Sequence, residues 1–133
     1  MSENEFKIKF RGTRGSYPKP KANFLKYGGN TACVEVKCGN RLIILDCGTG
    51  IIDVGCDEIQ NSIISQNKKS YHATIILSHV HQDHIQGLQF YKPLFMSNSK
   101  IELYGMQTPG EDLKDTLKTI LLLTYHSTKC ISS

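Results

Sequence analysis

Phe6, Ile8 and Phe10 alternate with Lys7, Lys9 and Arg11, a period of two that predicts a strand with one wet face. The pattern then breaks into Gly12-Thr-Arg-Gly-Ser-Tyr-Pro-Lys-Pro-Lys and Tyr27-Gly-Gly-Asn-Thr, where glycine and proline exclude helix and mark a long shaped loop. Residues 32–37 and 41–46 read as two strands joined through Cys38-Gly39-Asn40 into a hairpin. The second contains Leu42-Ile-Ile-Leu45, apolar on both faces, and so belongs in the middle of a sheet.

Helical spacing follows. Asp57-Glu-Ile-Gln60 has the form of a capping sequence, and Ile59, Ile63 and Ile64 predict a helix ending near Gln66-Asn-Lys-Lys-Ser70. The uninterrupted run Ala73-Thr-Ile-Ile-Leu77 predicts a buried strand over 73–78. Asp83 opens a short helix expected to run through Phe90 and to stop at Pro93. Residues 100–104 make another strand, with Ile101 and Leu103 inward. Thr108-Pro-Gly-Glu111 is a helix start, and Leu113, Leu117, Ile120 and Leu121 form the apolar stripe behind it.

These elements fit one domain, since 133 residues at 39% hydrophobic content suffice for an ordinary core. No apolar run approaches a membrane span, and Met1–Lys7 lacks the apolar segment of a secretory signal, so a soluble, cytoplasmic chain is expected. Five cysteines without a C-x-x-C pair argue against a disulfide framework or a zinc finger, leaving Cys33, Cys47 and Cys56 as space-filling residues. The net charge of +4 gathers in the first 41 residues, through Lys7, Lys9, Arg11, Arg14, Lys19, Lys21, Lys26, Lys37 and Arg41. That distribution favours a phosphate-bearing substrate only slightly, because it more often describes a solvated face.

The chemistry concentrates in Ser78-His79-Val80-His81-Gln82-Asp83-His84, immediately after the buried run. Three of the five histidines and a carboxylate fall within six positions. His72 and His126, each alone, read as ordinary core or surface residues. Imidazole nitrogen and carboxylate oxygen are ligands for zinc, iron or manganese, and their mounting at a strand end lets them converge. Burying them without a cation would leave several polar groups to satisfy. Asp46, at the end of the central strand before Cys47-Gly-Thr-Gly50, is either a turn-forming residue or an acceptor that orients a metal-bound imidazole.

With these residues together, the chain resembles the metallo-β-lactamase superfamily, whose hallmark is H-x-H-x-D-H after a buried strand. Gly12-Thr13 with Ser16 and Pro18, then Gly29-Asn30-Thr31, then Leu45-Asp-Cys-Gly-Thr-Gly50, are similar to the branch of ribonuclease Z-like and cyclic-nucleotide phosphodiesterase-like hydrolases. The resemblance runs from about residue 6 to about residue 120. It implies an α+β fold, the four-layer αββα sandwich, of which this chain covers about the first half as a mainly antiparallel or mixed sheet flanked by helices. It implies a two-metal site, with His79 and His81 on the first ion, Asp83 and His84 on the second, and Asp46 supporting them. Zinc is the expected metal, with manganese or iron as alternatives. The implied reaction is phosphodiester hydrolysis by a metal-bound hydroxide, with Asp83 orienting the water and taking its proton; a thioester or lactam is the alternative substrate. Nucleic acid as a partner is weakly supported by the sequence, and no membrane is expected.

The family's second half supplies a further histidine, a bridging aspartate and a last histidine, and residues 120–133 do not resemble it. The expectation is therefore a truncated domain, inactive at this length or a non-catalytic fragment. Its uncovered sheet face should expose apolar side chains and favour self-association.

Overall fold

The structure is a computed structural model that describes residues 5–64, 70–106 and 112–122. The expected helix start at 108–111, the polar run 66–69, His126 and most of the tail lie outside the described residues.

Alternating side chains build the sheet from one edge inward. Strands β1 (Phe6–Gly12), β2 (Cys33–Cys38) and β3 (Arg41–Leu45) pair antiparallel, with Gly39 at φ 57° making the tight β2–β3 turn that a side chain would strain. Helix α1 (Ile51–Ile64) carries the chain across to β4 (Tyr71–Leu77), which pairs parallel with β3, and β5 (Ser99–Gly105) pairs parallel with β4. The order is β1-β2-β3-β4-β5, so β3 sits centrally, as its two apolar faces require. The mixed sheet with flanking helices is an α+β arrangement.

One face carries the core. Cys33, Leu42, Ile44, Ala73, Ile75 and Leu77 pack under Ile51 and Val54 of α1, Leu88 and Tyr91, and Leu117 of helix α3 (Leu113–Leu122). At its β1 edge this face turns ionic. Arg11 bonds Glu35 at 2.6 Å and Asp57 of α1 at 2.7 Å, while Lys37 pairs with Glu35 at 3.4 Å and with Glu58. Burial works against the Arg11 charge, yet the hydrogen bonds and charges of Glu35 and Asp57 leave its pKa above the ordinary value.

The opposite face carries a cross-strand row of Phe10, Val34, Leu45, Ile76 and Tyr104, with Ile8, Val36 and Ile43 beside it. Phe10 is 70% exposed and Ile8 52%. This corrects the reading of β1. Of its basic side chains, Lys9 and Arg11 turn toward α1 and find Asp57 there, while the apolar alternates meet solvent.

Other boundaries also differ. Helix α1 begins at Ile51 rather than at 57, because Gly48 accepts the first bond, from Ile51 N–H at 3.1 Å, and Asp57 and Glu58 lie mid-helix as ion-pair partners. Gly55 hides this helix from propensity, but a Cβ there would press on Pro93 and Tyr91 at 3.0 Å. The expected helix 83–90 is one turn, α2 (Gln82–Ile85), followed by 3-10 turns Leu88–Phe90 and Lys92–Phe95; Pro93 lies inside the last and does not act as a stop. The long first loop contains one 3-10 turn, Ala22–Phe24. Helix α3 is capped by Asp112, whose Oδ1 accepts from Lys114 N–H at 2.9 Å. No helix among the described residues is long and apolar enough to cross a membrane.

Candidate metal centre

Three segments meet where β3 and β4 end. The β3–α1 loop and the histidine loop are zipped by Cys47 N–H to the His84 carbonyl at 2.6 Å and Gly87 N–H to the Cys47 carbonyl at 2.9 Å. Gly48 and Gly87 make that closeness attainable: a Cβ on Gly87 would sit 2.1 Å from the Gly48 carbonyl oxygen, and one on Gly48 2.5 Å from that of Asp83. The third segment is the long β1–β2 loop. Thr31 and Thr49 exchange backbone N–H to hydroxyl bonds at 2.9 and 2.8 Å, and Gln86 donates to the Thr31 hydroxyl at 3.0 Å.

Two non-glycine residues among those described have left-handed backbones, Ser16 at φ 70° and Asp46 at φ 63°. Both reach the histidine loop. Ser16 N–H donates to Asp83 Oδ2 at 2.9 Å, and Asp46 accepts from Ser78 and lies beside His84 Nδ1. Left-handed backbone is costly for a side-chain-bearing residue, least so for aspartate, and such strain gathers where function requires a particular aim.

The structure brings His79, His81, His84 and Asp83 together. The His79 ring lies 4.5 Å from that of His81 and 4.0 Å from that of His84, centroid to centroid. His84 Nδ1 is 2.9 Å from Asp46 Oδ2, and its Nε2 faces Asp83 Oδ2 at 3.6 Å. The N–H of Ser16 holds the Asp83 carboxyl below the usual range, aided by its own N–H and by His84 and His79. His72 is exposed on the open face, apart from this cluster.

The donors suit a divalent cation in kind. Two ligands of one tetrahedral zinc lie about 3.3 Å apart, close to the 3.6 Å between His84 Nε2 and Asp83 Oδ2. A carboxylate on the far nitrogen of a ligand histidine is the usual outer partner of such an ion. Among the described residues, however, no group of three or more His, Cys, Asp or Glu side chains is arranged to hold an ion. The fit is therefore pairwise.

Sequence reasoning left Ser78 without a role, although its hydroxyl touches Asp46 at 2.9 Å and His79 Nδ1 at 2.9 Å. A serine at a strand end carries no signal of its own. It also missed the network of Thr31, Thr49 and Gln86, which only the meeting of three loops creates.

The β1–β2 loop carries a basic and aromatic surface beside Ser16, on which Tyr17 and Tyr27 are exposed and Arg14 and Phe24 half-buried. Arg14 lies 5.0 Å from the Tyr17 ring and 4.7 Å from that of Phe24, and Lys26 lies 5.1 Å from that of Tyr27.

No protein-family model matches the chain. It is 28% identical to the ribonuclease Z of Picrophilus torridus over 123 residues, covering 92% of this chain and 35% of that protein. It is 28% identical to the ribonuclease Z of Methanococcus aeolicus over 127 residues, covering 91% and 33%. The chain thus spans about a third of the length of these curated relatives. A solved Thermotoga maritima structure assigned to the metallo-β-lactamases aligns with a TM-score of 0.41 and 18% identity, covering 87% of this chain and 50% of that one. The two ribonuclease Z matches run through the histidine loop and nearly all the rest of the chain, and they support its resemblance to the metallo-β-lactamase superfamily, in the ribonuclease Z-like branch.

Proposed function

We propose that this chain carries the histidine-loop part of a metal-dependent hydrolase that cleaves phosphodiesters, with nucleic acid as the substrate class. The observation that supports it most is the convergence of His79, His81, Asp83 and His84 beneath Asp46 and the Ser16 N–H. In this reading His79 and His81 hold one divalent ion, zinc by preference, and Asp83 and His84 a second. Bound there, the metal would lower the pKa of water to roughly 7 and offset negative charge developing on phosphorus oxygens. Asp46 orients His84 through Nδ1, and Ser16 steadies Asp83. Asp83 is also the group placed to orient water and to take up a proton. The Arg14, Lys19, Tyr17 and Tyr27 surface lies on the Ser16 loop and offers charge to phosphates and rings to bases. That surface, with the ribonuclease Z likeness, favours a phosphodiester over a thioester or lactam.

A second reading has its own observation. The described residues do not gather three donors around one point, which favours a metal-poor, non-catalytic module at this length. Metal analysis and turnover of bis-(p-nitrophenyl) phosphate, a thioester and a lactam, at equal zinc or manganese loading, separate the readings. Stoichiometric metal with phosphodiester turnover, both lost in His79→Ala and His84→Ala, supports the hydrolase. Bound metal without turnover supports the module, and the absence of both sinks the metal-centre reading.

A further inference from the structure

We propose that Ser78 is a positioning residue that relays the hydrogen-bond polarity of Asp46 to His79, so that one carboxylate keeps a hydrogen on Nδ1 of two imidazoles. The argument is one of proton counting. Ser78 stands at the end of β4, and its N–H donates to Asp46 Oδ1 at 2.8 Å. Its hydroxyl oxygen lies 2.9 Å from Oδ1 and 2.9 Å from Oδ2. An ionised carboxylate only accepts, and a hydroxyl has a single proton. That proton must point at Asp46, or oxygen lone pairs would face one another at 2.9 Å.

With its proton committed, Ser78 Oγ can only accept from its third neighbour, His79 Nδ1, at 2.9 Å. His79 Nδ1 must then carry a hydrogen. Independently, His84 Nδ1 sits 2.9 Å from Asp46 Oδ2 and 3.4 Å from Ser78 Oγ, two acceptors, so it too carries a hydrogen. A neutral imidazole holding its proton on Nδ1 has a bare lone pair on Nε2. Both rings therefore keep a hydrogen on Nδ1 toward Ser78 and Asp46 and turn Nε2 away from them, that of His84 lying 3.6 Å from Asp83 Oδ2. The left-handed backbone of Asp46 turns its carboxylate back across the end of β4, where one acid serves both rings. Ser78 touches no reacting atom in this scheme and acts through His79.

The inference takes its purpose from the metal-ligand reading, but its test needs no metal. Long-range 1H–15N correlation spectra of the metal-free protein, at a pH where ordinary imidazoles are neutral, read the tautomer of each ring. His79 and His84 should be Nδ1–H, unlike exposed His72, which should favour the Nε2–H form of a ring in water. In Ser78→Ala, His79 should move toward Nε2–H while His84 keeps its tautomer and so reports an intact fold. Ser78→Thr should restore His79. Zinc titration of the same variants should show Ser78→Ala weakened by roughly 10- to 100-fold, with recovery in Ser78→Thr. Expected tautomers in a protein that binds no zinc would leave the relay standing while the hydrolase reading fails. A wild-type His79 in the Nε2–H form, or one indifferent to Ser78→Ala, overturns the proposal. Should Ser78→Ala not fold, the wild-type and Ser78→Thr spectra still decide it.

Discussion

The two faces of the sheet use the same strands in opposite ways. Toward α1, the strands bury an aliphatic core and, at the β1 edge, an ion network whose Glu35 is 4% exposed. On the other side, Phe10, Val34, Leu45, Ile76 and Tyr104 line up across all five strands, with no helix among the described residues packed over them. Charge lies inside and aromatic carbon outside because the alternation of β1 is registered against partners on α1, and the register of a strand moves every side chain together. The lesson is that burial follows the available partner as much as hydrophobicity does. Arg11 is enclosed because Glu35 and Asp57 await it.

The largest break in this contrast should come from Arg11→Met. It strands Glu35 with Lys37 at 3.4 Å as its remaining partner, and the loss of one member of a buried pair costs about 3–5 kcal/mol. Denaturant unfolding measures this, and adding Glu35→Gln should recover part of it. Almost as large is the aliphatic comparison. Ile44→Ala, under α1, should cost about 2–5 kcal/mol, whereas Ile8→Ala on the open face should stay within about 0.5 kcal/mol. Equal costs would mean that the open face is covered in solution.

That covering is testable directly. Exposed apolar rows of this kind promote association. Phe10→Lys combined with Tyr104→Lys should shift sedimentation toward monomer while leaving the unfolding midpoint nearly unchanged. A monomer before substitution would remove self-association from consideration.

The smallest effect is the pH response of the ion network. Arg11 holds the Asp57 carboxyl below its usual range, with Lys9 assisting. A depressed carboxylate stabilises the fold above its unfolded pKa, and that contribution fades as pH falls through the folded value, below about pH 4. Asp57 is 45% exposed, so the effect is small and screened by salt. Asp57→Asn should flatten the acid limb of the stability curve slightly.

Much was legible from local pattern. The strands, the central place of Leu42–Leu45, the antiparallel hairpin and the histidine loop after a buried strand follow from periodicity and composition, because each is enforced by neighbours in sequence. Helix α1 was misjudged at its start, since Gly55 and the Asp57-Glu58 pair look like a boundary until Tyr91, Pro93, Arg11 and Lys37 are in place. Pro93 misled for a similar reason, as a 3-10 turn accepts it near its start.

By itself the sequence determined where strands and turns form and which residues could bind a cation, because backbone preference and donor chemistry belong to single residues and their immediate neighbours. Only the tertiary structure decided which side of β1 is inside, which nitrogens of His79 and His84 face Ser78 and Asp46, and that Ser16 and Asp46 address the histidine loop. Those outcomes depend on groups tens of residues apart coming within hydrogen-bonding distance, and no periodicity encodes that meeting.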